Sequence, residues 1–203
     1  MTDRYLYDLD TLNQLFRPEN DLERKLIALP EFRQGLSWGE PRFGHPEGKV
    51  GLHVREVLHN ISAIPNLSSN DRSRLRLVAL AHDTFKHIES RTRPRDWTKR
   101  HGLLARQFME QYTSDPVVLD VIETHDDAYY KWLLQHRRPS THSQLDSLMS
   151  RVGYCIQFYY LFFKCDTQTG DKIQAPLRWF EREAKGIELV KIRPFWPWEP
   201  VER

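Results

Sequence analysis

Apolar side chains recur three and four residues apart through most of this chain, the period that gathers them on one face of an α-helix. The faces are Val50, His53, Val54, Val57 and Ile61; Leu75, Val78, Ala79 and His82; His101, Leu104, Ala105, Phe108 and Tyr112; Val118, Val121, Ile122 and His125; and Tyr159, Phe162, Phe163 and Asp166. They predict helices over about 50–63, 70–85, 98–112, 116–125 and 141–166, with a shorter one over about 128–136. Two short helices are expected before them, about 5–16 and 20–32, separated by Pro18, with Pro30 shortening the second. Ser69 or Asn70 and Ser114 are cap candidates, and Pro116 suits a first helical turn. Strand signals are weak: alternating Val/Ile/Thr runs are few, and no Asn-Gly or Asp-Gly turn is present. RFGHPEGK, residues 42–49, reads as a Gly/Pro loop, and LVKIRPFWPWEPVER, residues 189–203, as an extended tail packed on the bundle. The fold class expected is therefore all-α, a single domain built as an antiparallel helical bundle.

Each of the five main faces carries one ligand-type residue near one end: His53, His82, His101, His125 and Asp166, with Asp83 beside His82. His53 and His101 stand near the starts of their helices, and the other three near the ends. If the first helix runs down, the second returns to the top, the third starts there and the fourth ends there. The short helix takes the chain down again and the long one brings Asp166 back. All six side chains then meet at one end of the bundle. Imidazoles and carboxylates gathered in an apolar pocket require a cation, because unpaired buried charge is costly. Mixed nitrogen and oxygen donors suit a divalent ion of Mn, Fe, Co, Ni, Zn or Mg. Six potential ligands exceed the needs of one structural zinc, and two adjacent ions bridged by Asp83 is an economical arrangement.

Composition narrows the class without choosing a function. The chain has 203 residues, 39% hydrophobic and 29% charged, which suits a soluble globular protein. No apolar run is long enough to cross a membrane, and the MTDRYLYDLD start lacks the pattern of a secretory signal. A formal charge of +2 is too small to argue for nucleic acid alone. Cys155 and Cys165 lie ten residues apart in one helical segment, about 15 Å along its axis, too far for a disulfide. Free thiols in a cytoplasmic protein are expected.

The order His53, His82-Asp83, Asp166 resembles the minimal signature of the HD-domain superfamily of metal-dependent phosphohydrolases. His101 and His125 resemble the additional histidines of the members able to hold two metals. GHPEGKVGLHVREVLHN looks like the opening of the HD domain attached to bacterial tRNA nucleotidyltransferases, HDTFK matches the His-Asp-x-x-Lys form, and the spacing to TKRHGLLA and IETHDDA fits. The likeness covers roughly residues 44–170. It implies a bundle of the HD-domain type. It also implies a first metal on His53, His82, Asp83 and Asp166, a second completed by His101 and His125, and Lys86 contacting phosphate or bracing Asp83. The chain departs from the two-metal pattern at Gly102, where that subset often has Glu after the His. No nucleotidyltransferase domain is present in the sequence, and the Glu-Asp pair of (p)ppGpp hydrolases is absent.

The implied chemistry is attack of a metal-activated water on phosphorus, with cations stabilising the developing charge; Asp83 and Lys86 are its expected catalytic residues. The loop after His82 supplies Lys86, Arg91, Arg93, Arg95, Lys99 and Arg100 against Glu89 and Asp96, and reads as a phosphate-steering rim or, alternatively, a solvated charged loop. His45 is a further candidate for substrate contact, and Asp126 for orienting His125. Three functions compete. The first is a phosphomonoesterase or phosphodiesterase for nucleotides or short phosphodiesters. The second is a module that binds a nucleotide around a structural metal without turnover. The third is an RNA-associated enzyme, whose binding would weaken steeply with salt.

Overall fold

The structure is a computed structural model and describes residues 7–90, 92–94, 96–137 and 145–193. Among these, every regular element is helical, and the one strand-like pairing is an isolated bridge between Arg42 and His45. The helices are α1 (Leu9–Phe16), α2 (Asp21–Ala28), α3 (Pro30–Leu36), α4 (Val50–Ser62), α5 (Ser69–Ala81), α6 (His101–Met109), α7 (Pro116–Thr124), α8 (Asp127–Arg137), α9 (Asp146–Val152), α10 (Ile156–Thr167) and α11 (Ala175–Glu183). No described helix is long and apolar enough to cross a membrane.

Helices α4, α5, α7 and α10 form the centre, with α10 against α4 and α5, and α6 packed on α7. Buried side chains from Leu12 to Phe180 make one cluster, to which α10 gives the aromatic residues Phe158, Tyr159, Tyr160, Phe162 and Phe163. α1 and α3 cover α4, and α11 lies against α8. A buried ion pair ties the N-terminal helices to α5. Arg76 Nη2 donates to Glu23 Oε2 at 2.7 Å and also reaches the carbonyls of Phe16 and Arg17 at 3.0 and 3.1 Å. Glu23 is itself ordered by Asn20, whose side chain caps α2 by accepting from the Glu23 N–H at 2.9 Å.

The boundaries differ from expectation at several places. Pro30 does not merely shorten the second helix: Leu29 before it is extended, as steric contact with a proline ring demands, and Pro30 starts α3. The cap of α5 is Ser68, which accepts from Asp71 N–H, and that of α7 is Asp115, one residue past Ser114. The segment expected as one helix over 141–166 divides at Gly153–Cys155, a tight 3₁₀ turn between α9 and α10; residues 141–144 lie outside the described part. Helix α11 was not foreseen. The tail is irregular over 184–193 and packs along α10, where Val190 N–H donates to Tyr160 Oη and Gln157 holds Glu188 by both backbone groups. The rest of it, with Trp196 and Trp198, lies outside the described residues.

Candidate metal centre

Helix direction brings the six expected ligands together. His53 sits in the first turn of α4 and His101 opens α6, while His82-Asp83 follow α5, His125 follows α7, and Asp166 lies in the last turn of α10. His53, His82, Asp83, His101 and His125 are buried. The turn after α5 is held from outside by α3: a Cβ on Gly35 would stand 1.8 Å from the Thr84 carbonyl oxygen, so the two backbones are in contact. The turn carrying His125 and Asp126 is held from below by Tyr159, whose hydroxyl donates to Thr124 O at 2.9 Å and accepts from Ala128 N–H at 3.2 Å.

The cluster has two halves that share one carboxylate. In the first, His53 Nε2 lies 2.8 Å from Asp166 Oδ1 and 3.3 Å from His82 Nε2, with Asp83 Oδ2 at 3.6 Å from His82 Nε2 and 3.8 Å from His53 Nε2. In the second, His101 Nε2 and His125 Nε2 are 3.1 Å apart, each 3.4 Å from Asp83 Oδ1. Both triads, His53-His82-Asp83 and Asp83-His101-His125, present donors close enough to share an ion. A third group, His45-Glu47-His53, meets the same criterion on the outer side of His53.

The outward nitrogens are already engaged. His82 Nδ1 is 2.9 Å from Ala79 O, and His125 Nδ1 is 2.8 Å from Ile122 O, each a carbonyl three residues back. His101 Nδ1 meets Glu89 Oε1 at 3.2 Å. His53 Nδ1 meets Thr169 Oγ1 at 3.3 Å and faces Glu47 Oε1 at 3.5 Å. Because carbonyl and carboxylate oxygens only accept, Nδ1 of His82, His125 and His101 must donate. In the neutral rings the tautomers that follow leave the Nε2 lone pairs pointing into the cluster, the arrangement a metal-binding imidazole needs. Asp83 Oδ1 is buried without a hydrogen-bond partner, a costly state for an anionic oxygen and one a cation relieves. The donor set therefore fits a divalent ion in each half.

Charge is distributed accordingly. Burial pushes His82 down to about 3, and burial with nearby Lys172 also lowers His53. Burial opposes charge on His101 too, but the carboxylates of Asp83 and Glu89 beside it outweigh that and raise the imidazole to about 9. Asp83 and Asp166 remain ionised far below the usual range: burial works against them, yet Lys86 and Lys172 respectively prevail. Lys86 Nζ contacts Asp83 Oδ2 at 2.5 Å, and Lys172 Nζ contacts Asp166 Oδ1 at 2.9 Å.

A cavity of about 400 Å³ opens onto the cluster, and its lining includes Asp83, His101, His125 and Asp166. Lys86 and His45 line it as expected. Arg100 does not: its guanidinium is bound to Asp127 at 3.0 Å and Glu123 at 3.2 Å on the flank of α6 and α7, so it is not free to steer phosphate. Arg93 is exposed and away from the cavity, Lys99 pairs with Asp96, and Arg91 and Arg95 fall outside the described residues. The cations that do line it besides Lys86 are Arg42 and Lys172, both unforeseen.

Asp126 stands on the other side of His125 from the one expected. The outward nitrogen of His125 goes to Ile122 O, while Asp126 approaches the inner nitrogens, 3.4 Å from His101 Nε2 and 3.7 Å from His125 Nε2. It thus faces the inner side of the cluster rather than the outward nitrogen of His125. The departure at Gly102 also has a structural reason. A Cβ there would lie 2.7 Å from Glu123 O, so α6 and α7 touch and no Glu fits. Glu89, from the preceding loop, supports His101 instead. Comparison with family models, curated proteins and solved structures found no match. The geometry and chemistry of the cluster therefore carry the functional argument.

Proposed function

We propose that this chain is a metal-dependent phosphohydrolase of the HD-domain type, acting on nucleotides or short phosphodiesters. The observation that carries the reading is the division of one carboxylate: Asp83 turns Oδ2 to His53 and His82 and Oδ1 to His101 and His125. An Asp in that position is suited to bridge two ions about one ligand width apart. His53, His82, Asp83 and Asp166 would hold one ion, and Asp83, His101 and His125, with Asp126 beside them, the other. Bound there, divalent ions supply a water activated for attack and positive charge against the phosphoryl oxygens.

The residues around the ligands complete the chemistry. Lys86 and Lys172 brace the two carboxylates and face the same cavity, where their ammonium groups are positioned to take up charge on nonbridging phosphoryl oxygens. Arg42 adds a third cation at the wall. Hydrolysis joins a water oxygen to phosphorus and breaks the ester bond, and the departing alcohol takes up the proton. Cavity walls that exclude bulk water strengthen every charge interaction inside.

The test is metal analysis of the purified protein, then phosphate or nucleoside release from mononucleotides, cyclic nucleotides and RNA ends with Mn, Co, Ni or Mg added. Wild type should bind close to two ions and turn over at least one class. Asp83→Asn, which keeps the shape and removes the charge, should lose both ions and all turnover while retaining its helical circular dichroism. Stoichiometric metal with no turnover across the panel would favour the rival reading, a nucleotide- or RNA-binding module built around a structural metal.

A further inference from the structure

The metal half of the cavity leaves its outer half unexplained. Of the ten large apolar side chains that the described residues expose, four line this one cavity: Phe43 at 75% exposure, Ile173 at 54%, Tyr129 at 41% and Tyr130 at 36%. Single exposed apolar residues need no explanation, but a cluster at the mouth of a cavity does. Two separate parts of the chain supply it. One wall is the 42–45 turn together with the 171–173 segment, tied by the Gly44 N–H donating to Asp171 Oδ1 at 2.6 Å. The other is the first turn of α8, where the Tyr129 and Tyr130 rings lie 5.7 Å apart at 66°. The cations Lys86 and Lys172 line the same cavity and lie against the carboxylates of Asp83 and Asp166.

We propose that the Phe43, Ile173, Tyr129 and Tyr130 walls are a subsite for a planar aromatic group, making the preferred substrate a small phosphomonoester or diester whose leaving group carries a flat ring. The inference rests on the phosphohydrolase reading for the phosphate end and adds the recognition of the other end. Rings that already stand in water gain most by stacking on another π face, and such contacts tolerate many ring types. A cavity of about 400 Å³ has the volume of a single small ligand, so one ring and one phosphate fill it and a folded polymer does not enter. The ring is either a nucleobase or a simpler aryl group, and both make the same contact.

The experiment uses the metal-loaded full chain and four alkyl esters of matched leaving-group type: benzyl phosphate, adenosine 5′-monophosphate, ribose 5-phosphate and glycerol 3-phosphate. kcat/KM is measured for each, and equilibrium binding of adenosine and of inorganic phosphate by calorimetry. The two ring-bearing esters should exceed the two aliphatic ones by about tenfold or more. Adenosine monophosphate above benzyl phosphate would point to a nucleobase; the reverse would point to a simple aryl ring. Phe43→Ala and Tyr129→Ala, both at exposed positions, should each raise KM for the ring-bearing esters several-fold. Neither should change kcat for glycerol 3-phosphate by more than about twofold, because neither residue touches the metal ligands. Equal use of all four esters, or no effect of either variant on ring-bearing ones, would overturn the subsite. Should nothing be hydrolysed, adenosine binding that Phe43→Ala weakens would still support the subsite while the hydrolase reading falls; absence of adenosine binding as well would overturn both.

Discussion

At the scale of single residues, what distinguishes this cluster from four ordinary buried histidines is where the outer nitrogens go. Three of them donate to fixed acceptors, so each inner lone pair is directed rather than free to flip. His101 depends on a side chain, Glu89, where His82 and His125 use carbonyls of their own helices. That difference makes the second half of the centre the more vulnerable. Glu89→Ala should weaken the ion at His101 and His125 by roughly 10–100-fold and leave the ion at His53 and His82 nearly unchanged. Calorimetric metal titration resolves the two, and equal weakening of both would contradict the division. Until an ion arrives, His101 carries a second proton, on its inner nitrogen, at neutral pH, its imidazole being raised to about 9 by Asp83 and Glu89 against the opposing effect of burial. An ion arriving there must displace that proton. Titrations at pH 7.5 in buffers of different ionisation enthalpy should therefore report release of about one proton for this ion. The His53 and His82 half should release almost none, since both imidazoles are held neutral by burial.

At the scale of elements, the centre depends on backbones that touch. α3 presses on the turn bearing His82 and Asp83 through Gly35, where a Cβ would meet Thr84 O at 1.8 Å. Gly35→Ala should cost about 1–3 kcal/mol or more, read from denaturant midpoints, and should lower metal occupancy because the turn must move. Gly153→Ala is the contrast. Its backbone is ordinary helical, with only the flexible end of Met149 near, at 3.6 Å, so stability should hold or rise slightly. These cases also mark what the chain revealed before folding. Five of the six candidate ligands were legible because each interrupts an apolar stripe of helical period, with Asp83 beside His82, and helix direction then brings them to one end. Glu89, Thr169, Arg42 and Lys172 were not, because they lie in loops, where no period relates a residue to its neighbours in space. The rim of arginines misled for the same reason: Arg100 sits at the mouth in sequence, but Asp127 and Glu123 claim it in the fold. α11, which carries Pro176 in its first turn, had no counterpart among the expected helices.

At the scale of the whole molecule, the cluster joins helices α4, α5, α6, α7 and α10 at one end, so its charge state should govern global stability. In the metal-free protein, His53 and His82 are held neutral by burial, His82 with a value near 3. The unfolded chain binds those protons below about pH 6.5. Stability must therefore fall as pH drops from 6.5 toward 3, and Asp83 and Asp166, depressed by Lys86 and Lys172, add to the loss at the acid end. His101 acts in the opposite sense. Its raised value means that its contribution is complete below 6.5 and lost as pH rises through about 9. The metal-free protein should thus be most stable near neutrality, declining on both sides. Metal adds a pH-dependent gain on the alkaline side, because the ion at His101 and His125 takes the place of the His101 proton; the ion at His53 and His82, which displaces almost none, adds a gain of nearly constant size. At free metal one hundred times its dissociation constant, binding should add about 2.7 kcal/mol, a rise in melting midpoint of roughly 5–10 °C for a chain of this size. Melting curves with and without chelator from pH 5 to 9.5 should diverge progressively above pH 7 in wild type and coincide in Asp83→Asn. A wild-type gap of constant size across that range would mean that the ion does not replace a proton on His101, and the assignment of the second half of the centre would fail.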